Sequence, residues 1–250
     1  LQAYATHSAA VRAQHTGRRG LAYGTAASQT LDLFLPPPGT GDPSDTGLPP
    51  LLLFIHGGYW QELSKNDSLF AADGCLAAGA AFAALDYTLA PQATVQQMVG
   101  ECRMALRWLH DHAASFGFDA RRIVVAGSSA GAHLAAMCCL RSWPGEPDLP
   151  AGLPAAAVLV SGIYELSPLV GTSINGALGL TPAAAASVSP MRCDLAGFPP
   201  TLVAWGAVET SAFKDQSRAF AQRIAAAGGT VPQQAEVPGC NHFDVILALA

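Results

Sequence analysis

Two kinds of hydrophobic pattern alternate along the chain. Short runs in which every residue is apolar, such as LLLFI at 51–55, are typical of strands whose two faces are both buried. Runs of this kind, together with a hairpin-like pair near the start and a more polar edge segment near the end, predict strands at 21–24, 30–36, 51–56, 81–87, 121–127, 155–164, 200–206 and 230–239. Longer segments with helical spacing of apolar residues predict helices at 66–80, 94–117, 130–142, 212–229 and 242–250.

The alternation of strands and helices predicts an α/β fold, with a mostly parallel central sheet covered by helices on both faces. We expect a single domain over residues 1–250, with a helical lead-in at 1–19 and a Pro- and Gly-rich surface loop at 36–50. The irregular segments at 143–153 and 164–198 are predicted to be loops or small cap elements. Functional groups in such sheets lie at the carboxyl ends of the strands, so the residues that follow each strand are the candidates for chemistry.

The composition indicates a large apolar core with few charges. Half of the 250 residues are hydrophobic and 12% are charged, against about 25% in an average globular domain. The apolar run CLAAGAAFAAL at 75–85 stops before Asp86, well short of the ~18 residues that a membrane span requires. The net charge is −5 and the 13 basic residues form no stripe, which argues against clustered phosphate contacts. We therefore expect neither a membrane nor a nucleic acid as partner.

The six cysteines indicate neither a disulfide framework nor a metal centre. No CxxC pair occurs, no Cys/His cluster has zinc spacing, and the adjacent Cys138 and Cys139 cannot easily bridge each other. We interpret them as reduced, mostly buried thiols in a cytoplasmic protein, and the residues that follow Leu1 carry no signal-peptide pattern.

The segment GSSAG at 127–131 lies between a predicted strand and a predicted helix. In that context G-x-S-x-G is typical of a nucleophile elbow, a sharp turn that presents a serine at the start of a helix. Glycines flank the serine because bulkier residues would clash in so tight a turn. The pattern predicts Ser129 as the nucleophile, since Ser128 lacks this glycine spacing. The alternative is a tight strand-to-helix turn without chemistry.

A nucleophilic serine requires a base that is oriented by an acid, and in this motif the acid and then the histidine follow the serine. Glu209 lies in the loop after the predicted strand at 200–206 and is predicted to be the acid, with Asp215 as the alternative. His242, in the sequence GCNHFD after the last predicted strand, is predicted to be the base. The other histidines outside the HGGYW stretch lie in the lead-in or on predicted helices: His7, His15, His110, His112 and His133.

The stretch HGGYW at 56–60 follows a buried strand, where a loop can supply hydrogen-bond donors to a developing oxyanion. Each such donor is typically worth about 10²–10³ in rate. Gly57 and Gly58 present their N–H groups without an obstructing Cβ, and the N–H of Ala130 follows the nucleophile. We predict that these three groups form an oxyanion hole, which needs no metal or organic cofactor.

The remaining residues of this stretch are assigned to supporting roles. His56 is expected to brace the loop rather than to act as the base. Tyr59 and Trp60 are expected to line the substrate pocket and to offer an aromatic group a face for stacking. The alternative for both rings is ordinary packing beside the sheet.

Taken together, the motifs resemble those of the α/β-hydrolase-type kynurenine formamidases, or arylformamidases, which are relatives of the hormone-sensitive-lipase-like esterases. The resemblance extends from about residue 20 to residue 244 and rests on these segments: HGGYW, LDYTLAP at 85–91, GSSAGAH at 127–133, SGIYEL at 161–166, SP at 189–190, ETSAFKDQS at 209–217 and GCNHFD at 239–244.

The resemblance implies an α/β-hydrolase fold and the hydrolysis of N-formyl-L-kynurenine to L-kynurenine and formate through an acyl-enzyme. It also implies that Ser129, Glu209 and His242 form the catalytic triad. Two positions depart from the group: Ser128 stands where a histidine is frequent, and the triad acid is Glu209 rather than an aspartate.

Three alternatives remain open beside a formamidase. The chain could be a carboxylesterase for short acyl esters, or an amidase or carbamate hydrolase that acts on other aryl substrates. From a different class, it could be a non-catalytic binding module, although the presence of all three triad residues argues against this. The expected partner is a small aromatic formamide or ester, and a homodimer is kept open.

Overall fold

The structure is a computed structural model that describes residues 2–42, 44 and 47–248. Its strands are β1 (Arg18–Ala22), β2 (Thr30–Phe34), β3 (Leu51–Ile55), β4 (Ala81–Leu85), β5 (Ile123–Ser128), β6 (Ala156–Val160), β7 (Thr201–Gly206) and β8 (Gln233–Val237). Within the described residues they form one eight-stranded sheet in the order β1-β2-β4-β3-β5-β6-β7-β8. Strand β2 pairs antiparallel with β1 and β4, and every pair from β4 to β8 is parallel. The prediction of an α/β fold with a mostly parallel sheet is confirmed.

The α-helices are α1 (Gln2–Gln14), α2 (Ala72–Ala77), α3 (Val95–Phe116), α4 (Ala130–Cys138), α5 (Asn175–Leu178), α6 (Pro182–Ser187), α7 (Ser211–Ala226) and α8 (Val245–Ala248). Short 3-10 helices lie at Lys65–Asp67, Ala120–Arg122, Ser167–Gly171 and Pro190–Arg192. The long helix α3 begins at a capping box between Thr94 and Gln97 and ends at Gly117, whose φ of 89° only glycine adopts without strain. No helix of the described part of the chain is long and apolar enough to cross a bilayer.

Both faces of the central strands are buried, as their continuous apolar runs predict. In β4 the side chains of Ala81, Ala83 and Leu85 join the larger core cluster, which also includes the apolar face of α3. Phe82 and Ala84 point to the opposite face and join a second cluster. Helices α1, α2 and α8 contribute to this second cluster, so both chain ends of the described structure cover the same face of the sheet.

Some predicted boundaries differ from the structure. The helical lead-in predicted at 1–19 gives way to β1 at Arg18, and the helix predicted at 66–80 shrinks to α2. Residues 68–71, between the 3-10 helix at Lys65–Asp67 and α2, are not helical because the backbone N–H of Leu69 donates to Ser8 of α1 at 2.9 Å instead of joining a helix. Parts of three predictions lie outside the described residues: Leu1 of the lead-in, 43 and 45–46 of the loop, and 249–250 of the last helix.

The two irregular segments take different forms. Residues 164–198 fold into a chain of short helical turns that includes α5 and α6, and two of its residues, Ser173 and Ile174, line the cavity at the carboxyl edge of the sheet. Residues 143–153 form turns around an isolated bridge between Trp143 and Glu146. The first segment therefore contributes to the site described next.

Candidate active site

Ser129 occupies the turn between β5 and α4 with φ 58° and ψ −123°, a conformation that is strained for a residue with a Cβ. The flanking glycines explain why the turn can be so sharp. A Cβ at Gly127 would lie 2.3 Å from the carbonyl oxygen of Gly131, and a Cβ at Gly131 would lie 2.0 Å from that of Ile55. The N–H of Ser129 donates to the carbonyl of Val160 at 2.9 Å. The backbone itself therefore fixes where the serine stands.

The structure brings Ser129, Glu209 and His242 together from the loops after β5, β7 and β8. His242 Nε2 lies 3.0 Å from Ser129 Oγ, and His242 Nδ1 lies 2.9 Å from Glu209 Oε2. With the proton on Nδ1, the ring donates to Glu209 and its Nε2 can accept the hydroxyl proton of Ser129. This is the arrangement in which an acid orients a histidine base toward a serine nucleophile.

The carboxylate of Glu209 is fully buried and saturated with donors. Its Oε1 accepts a hydrogen bond from the N–H of Gly206 at 2.6 Å and another from the hydroxyl of Ser161. Burial by itself raises the pKa of Glu209, but the hydrogen bonds from His242, Ser161 and Gly206 outweigh it and hold the pKa below its usual value. Glu209 is therefore ionised at neutral pH and can stabilise a positive charge on His242.

Ser161 is a member of the site that the sequence reasoning missed. It follows the buried strand β6, its side chain is fully buried, and its φ of 51° is strained. A polar residue directly after a buried strand, at the edge where the other site residues lie, is the signal that could have identified it. The hydroxyl of Ser161 orients the acid rather than the substrate.

Asp215, the alternative acid, does not take part in this constellation. It lies on α7, its side chain is largely exposed, and its carboxylate pairs with Arg218 at 3.4 Å. The geometry therefore favours Glu209 over Asp215 as the acid.

The glycines of the HGGYW stretch approach the nucleophile closely. A Cβ at Gly57 would lie 2.7 Å from the carbonyl oxygen of Ser128 and 3.3 Å from Ser129 Cβ. Gly58 adopts φ +94°, and a Cβ there would lie 2.3 Å from a backbone oxygen four residues later. Within the described part of the chain, no backbone carbonyl accepts a hydrogen bond from the N–H of Gly57, Gly58 or Ala130. These three N–H groups therefore have no backbone acceptor in the described structure, and Gly57 among the glycines of the stretch lies against the nucleophile turn.

The two aromatic residues of this stretch lie in different environments. Tyr59 is half-buried and lines the cavity beside Ser129, as expected. Trp60 does not line this cavity: its side chain is fully buried, and its indole Nε1–H donates to His133 Nδ1 at 3.2 Å. The Nε2–H of His133 donates in turn to the carbonyl of Val188 at 2.7 Å. Burial lowers the pKa of His133 to about 4, which keeps the ring neutral.

Trp60 leaves the pocket for a physical reason. Both Tyr59 and Trp60 have positive φ, 49° and 61°, so the chain reverses here and sends successive side chains to opposite environments. Trp60 thereby fastens the glycine loop to the nucleophile helix α4 through His133. The alternative interpretation from the sequence, core packing, describes Trp60.

His56 braces the loop, as expected. Its side chain is buried, its ring stacks on that of Tyr87 with centroids 4.4 Å apart, and its Nδ1 lies 2.9 Å from the carbonyl of Gly57. The hydroxyl of Tyr87 donates to the backbone carbonyl of His56 at 3.1 Å. Burial lowers the pKa of His56 as well, so this ring is also neutral.

A cavity of about 880 Å³ opens over the Ser129–His242 pair. Six aromatic residues line it: Tyr4, Phe54, Tyr59, Phe70, Phe213 and Phe243. The Phe213 ring lies 4.0 Å from the ring of His242, centroid to centroid. Apart from Glu209 the lining contains one further acid, Glu62, and among the described lining residues there is no Lys or Arg. No group of three or more His, Cys, Asp and Glu that could hold a metal occurs in the described residues.

Comparisons with known proteins point to one fold and two kinds of activity. The family model for the alpha/beta hydrolase fold matches residues 52–244. A kynurenine formamidase from Danio rerio is 32% identical over 90% of this chain and 74% of its own length. The esterase LipC from Mycobacterium tuberculosis is 27% identical over 93% of this chain and 61% of its own.

Solved structures with a similar fold include esterases, as the sequence relatives do. A candidate thioesterase from Silicibacter superposes with a TM-score of 0.83 at 28% identity, over 99% of this chain and 87% of that one. Esterase 2 from Thermogutta terrifontis, in a propionate-bound form, superposes with a TM-score of 0.69 at 26% identity, over 92% of this chain and 85% of that one. The likeness therefore includes the sheet, its helices and the edge that carries the site.

Proposed function

The chain belongs to the α/β-hydrolase family and is a serine hydrolase of that fold, and we propose that it cleaves an aryl formamide, foremost N-formyl-L-kynurenine, to the free amine and formate. The observation that carries the chemistry is the pair of contacts made by His242, 3.0 Å to Ser129 Oγ and 2.9 Å to Glu209 Oε2. The similarity to kynurenine formamidases supports the choice of substrate.

In the proposed mechanism His242 Nε2 removes the proton of Ser129 Oγ while this oxygen attacks the formyl carbon. The carbonyl electrons move to its oxygen, and the N–H groups of Gly57, Gly58 and Ala130 bind the resulting oxyanion. His242 then donates its proton to the amide nitrogen, the C–N bond breaks, and the arylamine leaves a formyl ester on Ser129.

The second half of the cycle repeats the same proton transfers with water as the nucleophile. His242 Nε2 removes a proton from water as the water oxygen attacks the formyl ester. The ester C–O bond then breaks, Ser129 regains its proton from His242, and formic acid leaves and loses its remaining proton to solvent as formate. Glu209 remains ionised throughout and stabilises the imidazolium that forms in each half, so neither a metal nor an organic cofactor is required.

The walls of the cavity support an aromatic substrate. Phe213 and Phe243 line it in contact with the His242 ring and Tyr59 lines it as well, and such rings bind an aryl group by offset or edge-to-face contacts. Trp60 has no place in this binding role, because its indole is occupied with His133. Tyr59 is therefore the residue of the pair to which we assign substrate contact.

A specific observation favours a second candidate, a carboxylesterase for short acyl esters of neutral alcohols. N-formyl-L-kynurenine carries a carboxylate, and an ion pair with Arg or Lys is the strongest way to recognise one. The described cavity lining offers no Lys or Arg, and its acids are Glu62 and Glu209. A neutral ester avoids that mismatch, and esterases are among the relatives of this chain.

Three substrates separate the two candidates: N-formyl-L-kynurenine, 2-formamidoacetophenone, which keeps the aryl formamide but lacks the amino-acid group, and p-nitrophenyl acetate. A formamidase for the amino acid should show its highest kcat/KM on the first. An esterase should show its highest value on the third, which would contradict the formamidase proposal. Ser129→Ala serves as the blank, and full activity of this variant on any of the three would contradict the mechanism.

The remaining parts of the proposal concern the setting of the enzyme. A cytoplasmic location and a small-molecule partner only stay predictions from the sequence, and a homodimer stays an open alternative. Gel filtration with light scattering decides the oligomeric state.

A further inference from the structure

The first helix reaches the active site although it lies outside the region that the family model matches, 52–244. Tyr4 on α1 is buried, with 8% of its surface exposed, and it lines the cavity. Its hydroxyl donates to the backbone carbonyl of Phe243 at 2.6 Å. Phe243 directly follows His242, so this hydrogen bond joins α1 to the residue next to the proposed base.

The loop that carries His242 is held by hydrogen bonds of its own, such as that from the N–H of Phe243 to Asn241 Oδ1 at 2.8 Å, and by others from two further segments. On its near side the N–H of Val208 donates to the carbonyl of Cys240 at 2.9 Å. Within the loop, the side-chain amide of Asn241 donates to the carboxylate of Asp244 at 2.8 Å. The hydrogen bond from Tyr4 is the anchor on the far side. Besides the hydrogen bond of His242 to Glu209, the loop thus has one anchor from the β7 loop and one from α1.

The rest of α1 is docked independently of the active site. Ser8, one turn after Tyr4 on the same helix face, is fully buried and accepts the N–H of Leu69 at 2.9 Å. Arg12 donates to Asn66 at 2.7 Å on the next turn. Loss of the Tyr4 hydroxyl would therefore leave α1 in place and release only the carbonyl of Phe243.

Because these contacts converge on the loop of the base, we propose that Tyr4 is a positioning residue for the hydrolytic reaction: its phenol fixes the His242 loop so that Nε2 faces Ser129. The proposal rests on the proposed triad. The phenol is suited to the task because it keeps its proton over the working range, since burial raises the pKa of Tyr4 to about 12. Its ring, 4.9 Å from that of Phe70, also holds the hydroxyl in place.

The test compares Tyr4→Phe with Ser8→Ala. Each variant removes one hydroxyl from the same face of α1, and each should lower Tm by a few degrees, as the loss of one hydrogen bond does in a domain of this size. Tyr4→Phe should lower kcat roughly 10-fold with KM within about twofold, because a displaced base slows proton transfer and leaves ground-state binding intact. Ser8→Ala should keep kcat within about twofold.

The rate at which a fluorophosphonate labels Ser129 provides a readout that is independent of the natural substrate, since it requires only an activated serine. Tyr4→Phe should slow this labelling roughly 10-fold at pH 7, and Ser8→Ala should not. Equal rates in Tyr4→Phe and the wild type, or an equal loss in both variants, would overturn the role of Tyr4. Normal labelling of the wild type without hydrolysis of N-formyl-L-kynurenine would instead contradict the proposed substrate.

Discussion

The two halves of the proposed catalytic triad are built in different ways. The nucleophile half, around Ser129, is held by backbone atoms in contact: a Cβ at Gly127 or Gly131 would lie within 2.3 Å of a neighbouring carbonyl oxygen. The acid–base half, Glu209 and His242, is held by hydrogen bonds from side chains, among them those of Ser161 and Tyr4. Strand β8, which precedes His242, is mostly exposed, whereas β5, which leads to Ser129, is almost wholly buried.

The two halves therefore differ in what fixes the positions of their side chains. Steric contact inside a packed sheet leaves the serine a single position, and a change there disturbs the fold before it disturbs the chemistry. Hydrogen bonds at the edge position the base and acid with little contribution to the core. Substitutions of the residues that hydrogen-bond to Glu209 or to the His242 loop should therefore lower kcat with a small loss of stability, and substitutions of the glycines that flank Ser129 should mainly lower the free energy of unfolding.

The largest expected effect is that of Glu209→Gln, which removes the negative charge and the acceptor for Nδ1–H of His242. We expect kcat to fall about 10³- to 10⁴-fold, as when a triad acid becomes an amide, with Tm nearly unchanged. The matched control is Asp215→Asn, which neutralises an exposed carboxylate paired with Arg218. Steady-state kinetics of both variants decide the assignment, because the reverse pattern would make Asp215 the acid.

The next largest effect should come from Gly131→Ala. The added methyl group would lie 2.0 Å from the carbonyl oxygen of Ile55, so β3 or the elbow must shift, at a cost of about 3 kcal/mol or more in the free energy of unfolding. Gly176→Ala is the control, because it meets nothing within 4 Å and sits in the exposed helix α5. Urea unfolding should separate the two, and a stable Gly131→Ala protein would refute steric fixation of the nucleophile.

The third prediction concerns how the free energy of unfolding depends on pH through His133, which lies on the helix that follows the nucleophile. The folded pKa of His133, about 4, lies below the ordinary value of 6.5, so the unfolded chain takes up its proton first as the pH falls. His133 contributes its full stabilisation above pH 6.5, and this contribution is lost as the pH falls toward 4. Between pH 7 and pH 5 the loss is about 2 kcal/mol in the free energy of unfolding.

The measurement is the difference in the free energy of unfolding between pH 7 and pH 5. In His133→Gln this difference should be smaller than in the wild type by about 2 kcal/mol, because glutamine does not titrate. An unchanged difference in His133→Gln would show that the Trp60–His133 contact does not hold a neutral ring.

The smallest effect is expected for Ser161→Ala, which removes one of the three donors to Glu209. Since the other two remain, kcat should fall by roughly 10-fold with KM nearly constant. Ser217→Ala is the control, because the hydroxyl of Ser217 is buried without a partner among the described residues. Equal kcat values in the two variants would contradict a positioning role for Ser161.

Much of the fold could be predicted from the sequence because its signals are local. Apolar runs define most of the central strands to within about two residues, although the strand predicted at 155–164 ends at Val160, and Thr94 and Gly117 mark both ends of α3. The helix predicted at 66–80 was too long because the competing bond, from Leu69 to Ser8, joins segments 61 residues apart. A contact between residues so far apart in the sequence leaves no periodic pattern that could predict it.

The same distinction applies to the site. The sequence predicted Ser129 from spacing, since the glycines that its turn requires are its near neighbours, and His242 from chain order, whereas it kept Asp215 as the alternative to Glu209 until the geometry favoured Glu209. The tertiary structure alone decided that Trp60 turns away to His133, that Ser161 supports Glu209, and that Tyr4 reaches the His242 loop from 239 residues away. The physical reason is that adjacent residues meet the steric demands of a turn, whereas hydrogen-bond partners become neighbours only when the folded chain brings distant segments together.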